Sequence, residues 1–123
     1  METGAMAWNR LLALSFGLLP VAFFWASLAD AQSFNCRYAK KPAEVAICQD
    51  GNLARLDELM ASTYFNVTNN LPPRKASIVK AEQSDFLRER NRCGYNFNCI
   101  SGSYNDRLRE LCDWADMTGQ PCY

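Results

Sequence analysis

Six cysteines and not one histidine stand in this chain of 123 residues, and every cysteine falls between Cys36 and Cys122. That pair of facts limits the chain more than any other. An even cysteine set in a short chain reads as a disulfide framework, the usual support for a domain too small to bury a large core. Cys36, Cys48, Cys93, Cys99, Cys112 and Cys122 are therefore expected to form three bridges. Without histidine, Ser–His–Asp and Cys–His catalysis are excluded, and the commonest zinc ligand is missing. There is no C-x-x-C pair either, so neither a metal site nor a cofactor is expected. With no histidine to generate a thiolate, a reactive thiol is not expected.

Apolar residues crowd the N-terminal end. Leu11 to Ala29 carries no charge, Arg10 precedes it, and Ala29-Asp30-Ala31 follows as an A-x-A site. A basic start, an apolar stretch and a small-residue end describe a signal peptide over residues 1–31, cut after Ala31. Pro20 interrupts the run, which suits a cleaved signal better than a retained membrane helix, the competing reading. The mature chain would then be periplasmic or secreted, with no membrane partner after cleavage. It is also too short for two domains. Lys+Arg and Asp+Glu are balanced at 13 each. Removing Glu2, Arg10 and Asp30 leaves the mature part near neutral, which offers no basic face for nucleic acid.

Along the mature chain the apolar spacing is helical. Pro42 stands where a first turn would begin, with Glu44 early in that turn, so Pro42–Cys48 reads as a short helix. Asp50-Gly51-Asn52 is a turn that can cap the next helix. In that helix Leu53, Leu56, Leu59, Met60, Tyr64 and Val67 recur at three or four residues. Pro72 and Pro73 open a third helix through Ala76, Val79, Phe86 and Leu87 to about Arg92. Asn96 or Asn98 caps a last one through Ile100, Tyr104, Leu108 and Leu111. No stretch alternates with period two. The expected fold is all-α, a small disulfide-stapled bundle of two longer antiparallel helices and two shorter ones. It covers residues 32–112, with 113–123 an irregular tail. If the two longer helices are antiparallel, Cys48 meets Cys93, Cys36 meets Cys99, and Cys112–Cys122 pins the tail. The rival pattern joins Cys36 to Cys48 and Cys93 to Cys99.

Taken together, several stretches resemble a known family. They are Phe34-Asn35-Cys36, Pro42-Ala43-Glu44 with Ile47-Cys48, Leu53-Ala54-Arg55-Leu56-Asp57 with Tyr64, and Glu82-Gln83-Ser84-Asp85-Phe86-Leu87 with Arg90 and Cys93. Cys99, Tyr104, Arg107-Leu108 and Leu111 complete the pattern. The ordered combination is similar to the N-terminal domain of LprI-type lysozyme inhibitors, small exported bacterial proteins, over about residues 34–111. Phe86 stands where that family usually has Trp, and Cys112, Cys122 and the segment around Trp114 are an addition. The resemblance implies binding rather than catalysis. Its most concrete activity is occlusion of a lysozyme cleft, with a lysozyme or another envelope protein as partner. The alternative is a periplasmic structural or envelope-interaction protein without lysozyme inhibition.

An inhibitor can set a carboxylate against an enzyme's cleft, which makes Glu44, Asp57, Glu58 and Asp85 candidate contacts. The competing expectation for them is structural, an ion pair such as Asp57–Arg90 or Glu44–Arg107 between neighbouring helices. Tyr64, Phe86 and Tyr104 lie on apolar stripes and are expected in the core. Tyr95 and Phe97, in the short loop between Cys93 and Cys99, form either a contact surface or a cover over the bundle end. Trp114 and Met117 make a second, weaker patch. An enzyme would need paired carboxylates such as Glu82 and Asp85. On a single exposed helix they do not suggest a cleft, so no enzyme is expected.

Overall fold

The computed structural model describes residues 33–122. The expected signal peptide and its cleavage site lie outside the described residues. A 3-10 turn at Cys36–Tyr38 leads into α1 (Pro42–Gln49), α2 (Gly51–Asn70), α3 (Pro73–Arg92) and α4 (Phe97–Asp116). Each boundary has a local cause. Pro42 occupies the first turn of α1, where its missing N–H costs nothing, and the Glu44 carboxylate accepts from the Lys41 backbone N–H at 3.3 Å. Asp50 alone separates α1 from α2. Its carboxylate accepts from the N–H groups of Asn52 at 2.9 Å and Leu53 at 3.0 Å, satisfying two otherwise unpaired donors. Leu71 is extended because Pro72 follows it, and Pro73 starts α3. After α3 the chain reverses through Gly94, whose φ of 59° is the left-handed conformation that glycine adopts without strain. Asn96 then caps α4 by accepting from Cys99 N–H at 3.0 Å.

The fold is the expected small all-α, disulfide-stapled bundle. The lengths differ from expectation: α2, α3 and α4 each have 20 residues and only α1, with 8, is short, because the last helix runs further than expected. Residues 113–116, read as irregular tail, are helical because Ala115 continues the buried stripe of Leu108 and Leu111. The core gathers Ile47 from α1, Leu53, Met60 and Val67 from α2, Val79 and Phe86 from α3, and Ile100, Tyr104, Leu108 and Leu111 from α4. Each fully buried aliphatic side chain contributes roughly 1.5–3 kcal/mol. Tyr104 and Phe86, expected in the core, pack edge to face with centroids 5.4 Å apart. Tyr64 is only partly buried.

The helices pack in an order that rewrites the disulfide map. α2 lies most extensively against α4, not α3. Cys48 therefore does not bond Cys93, nor Cys36 Cys99. The bridges are Cys36–Cys48, Cys93–Cys99 and Cys112–Cys122, with Cα–Cα distances of 5.8, 5.5 and 5.0 Å. The 3-10 turn folds Cys36 back onto the end of α1, and the Gly94 turn brings Cys99 beside Cys93. The Cys112–Cys122 bridge ties the residues after α4 to its last turns, as expected.

Five polar side chains share the buried stripes, Asp57, Thr63, Gln83, Arg90 and Arg107. Asp57, at 0% exposure, is the hub. It accepts from Ser33 N–H at 2.6 Å, Ser33 Oγ at 2.7 Å and Tyr104 Oη at 2.7 Å. Arg90 Nη1 stands 3.6 Å from it. One carboxylate thus joins the N-terminal strap, α2, α3 and α4. Burial pushes the Tyr104 hydroxyl well above the ordinary tyrosine value of 10.0, with Arg90 opposing the rise and Asp57 adding to it. The folded state therefore keeps this proton where the unfolded chain releases it. Stability should be unaffected below the unfolded tyrosine value and fall above it, by up to about 1.4 kcal/mol per pH unit. Urea unfolding on either side of that pH would show the slope, and Tyr104→Phe should remove this contribution to it.

Candidate functional site

Between α3 and α4 runs an open cleft of about 520 Å³. From α3 come Glu82, Asp85 and Glu89, and from α4 come Asp106, Glu110 and Asp113. Each trio is spaced by three and four residues, which sets it along one flank of its helix. Phe86, Trp114 and Met117 supply the apolar part of the lining, and Arg107 is the one base in it.

Arg107 is buried beneath the cleft and holds its walls together. Its Nη1 pairs with Glu82 at 3.3 Å and Glu110 at 2.9 Å. Its Nε donates to Gln83 Oε1 at 2.9 Å, and its Nη2 to the Val79 carbonyl at 3.1 Å. Trp114 Nε1 donates to Glu82 at 3.0 Å. This bond fixes the indole against α3. On the outer flanks Arg88 pairs with Asp85 and Arg109 with Asp106. Such exposed pairs are weak and readily exchanged. Glu89 and Asp113 have no ion-pair partner among the described residues. Six carboxylates against Arg88, Arg107 and Arg109 leave the cleft net negative although the chain as a whole is balanced. Among the described residues no group of His, Cys, Asp or Glu could hold a metal ion. The carboxylates are strung along a groove, an arrangement suited to an extended cationic surface.

The sequence-derived candidates scatter. Asp85 lies on the acidic cleft, as does Glu82, so these two carboxylates do face a cleft, contrary to the reading from one isolated helix. The missing wall was α4, which packs against α3. Asp57 is enclosed and cannot touch a partner; its role is the ion pair with Arg90, one of the two expected. The other expected pair, Glu44–Arg107, is not formed. Glu44 Oε1 instead lies 3.8 Å from Arg90 Nη2, because α1 meets α3 at Arg90 while Arg107 is taken by Glu82 and Glu110. Glu58 is exposed on α2 and is not part of the acidic cleft. Tyr95 and Phe97 do not cover the bundle end: they are 66% and 42% exposed on the disulfide-closed turn. Trp114, half-buried, and Met117, exposed, belong to the acidic cleft.

Glu89, Asp106, Glu110 and Asp113 were not among the candidates. Their signal was present as acidic residues at helical spacing beside each apolar stripe. Such a stripe on one helix is ordinarily a solvated face, and only the pairing of two helices makes it a groove. No protein-family model matches the chain, and neither a curated protein nor a solved structure matches it. Three disulfides fit an oxidising compartment. No helix among the described residues is long and apolar enough to cross a membrane.

Proposed function

We propose that the protein is an exported binding domain that engages a cationic protein partner through the acidic α3–α4 cleft, with a lysozyme of the cationic animal type as the most concrete target. The observation that carries this reading is the concentration of six carboxylates in one groove with a single buried arginine. A near-neutral chain lacks the overall field that would steer it to a cationic enzyme, so attraction must be local. The groove supplies that local field, and Trp114 offers the kind of aromatic anchor that dominates protein contacts. The likeness to LprI-type lysozyme inhibitors supports the same direction.

A cell-wall lysis assay tests it. The oxidised protein, titrated to micromolar concentration, should slow lysis by a cationic lysozyme. The double variant Glu89→Lys, Asp113→Lys should abolish the effect. Both positions are exposed, so its stability should stay within about 0.5 kcal/mol per substitution. Lysis that proceeds unslowed across several lysozyme types would discard the lysozyme reading and favour an envelope-interaction role.

A further inference from the structure

A second cavity, of about 410 Å³, lies on the opposite flank of α3, where α1, α2 and the Ser33–Phe34 strap meet it. Its character is the reverse of the acidic cleft. Phe34, Met60, Tyr64 and Leu87 give it apolar walls, and Lys41, Lys80, Arg90 and Glu44 line its charged part; with Asp57 set behind Arg90, three positive charges face two carboxylates. Mostly apolar cavities of this size with a few convergent polar groups are the usual form of small-molecule sites.

The polar groups have donors to spare. Arg90 is 2% exposed and carries five N–H donors. Three are used, by Asn91 Oδ1 at 3.3 and 2.9 Å and by Tyr104 Oη at 3.1 Å. For the remaining two the nearest carboxylates, Asp57 at 3.6 Å and Glu44 at 3.8 Å, lie beyond hydrogen-bond reach. The Phe34 ring covers the face of the guanidinium at 5.4 Å. Gln83, 9% exposed, spends its amide N–H only on the Met60 thioether at 3.0 Å, a poor acceptor. Lys80 has no ion-pair partner among the described residues, whereas Lys41 is 3.7 Å from Glu44. An apolar chamber with unspent donors and an unpaired lysine calls for an occupant that is apolar along its length and an anionic acceptor at one end.

We propose that this cavity binds a small amphiphilic carboxylate. Its apolar body lies against Phe34, Met60, Tyr64 and Leu87, and its carboxylate accepts from Arg90 and pairs with Lys80. The site does not depend on the acidic cleft or on any lysozyme activity.

Decanoate is the probe, with decanol and decyltrimethylammonium as neutral and cationic counterparts, in calorimetric titration of the full oxidised protein. Decanoate should bind saturably, one molecule per chain, and more tightly than either counterpart. Lys80→Glu should weaken decanoate by about tenfold or more. Ser84→Trp, at an exposed position on the cavity wall, should fill the space and abolish binding while the thermal melt is kept. The Glu89→Lys, Asp113→Lys variant should bind as the parent does. The proposal is overturned if decanoate does not saturate, if the alcohol or the cation binds equally well, or if a folded Lys80→Glu protein binds decanoate unchanged.

Discussion

Replacing Asp57 by alanine is expected to lower stability by about 3–5 kcal/mol, the cost of breaking a buried ion pair by removing one partner. The side chain is fully enclosed and accepts three hydrogen bonds from Ser33 and Tyr104. Its loss would strand the Tyr104 hydroxyl and leave buried Arg90 with Glu44 alone, at 3.8 Å. In a domain of this size each kcal/mol shifts the melting temperature by about 4–8 °C, so a fall of about 12 °C or more is expected. Asp57→Asn keeps the shape and one acceptor and should lose less. Glu58→Ala, one residue along on the exposed side, should move stability by no more than about 0.5 kcal/mol. Thermal melts of the three variants decide the matter. An unchanged melt for Asp57→Ala would remove the hub from the account of the fold.

Full reduction of the disulfides is expected to have the larger effect. The bridges span 12, 6 and 10 residues. In the chain-entropy model loops of that length each contribute about 2–3 kcal/mol, together about 8 kcal/mol. Small domains hold only about 5–15 kcal/mol in total. The reduced chain should therefore lose most or all of its cooperative melt near room temperature. Circular dichroism with and without a thiol reductant would show it. If the reduced chain melted within a few degrees of the oxidised one, the core would be self-sufficient and the entropic role of the bridges would be refuted. The Cys93→Ser, Cys99→Ser pair, which opens only the shortest loop, should cost about 2 kcal/mol.

The helices could be read from the chain because their causes are local. Pro42 and Pro73 begin two of them, Asp50 and Asn96 cap two, and apolar spacing marks their faces. What failed to read depended on which helix lies beside which. A Cys48–Cys93 bridge requires α2 and α3 to be close partners, whereas α2 packs chiefly against α4. The end of α4 was missed because Gly119 and Pro121 signalled a loop early, while Ala115, a small apolar residue, was too faint a sign of one more turn. Gln83 and Arg90 stand on the same stripe as Ala76, Val79 and Phe86, and only their polarity hid that they are buried. The candidate site was half visible. Asp85 and Glu82 were noticed as carboxylates, but a groove has two walls and one helix shows only one of them.

The three bridges also join the cysteines strictly in the order in which they occur, first to second, third to fourth, fifth to sixth. Chains are made from the N-terminal end. A chain oxidised as it emerges meets each correct partner before a wrong one is present: Cys36 can close on Cys48 while Cys93 is still to come. The native connectivity is thus the one that forward threading produces, and it needs no later reshuffling to be reached.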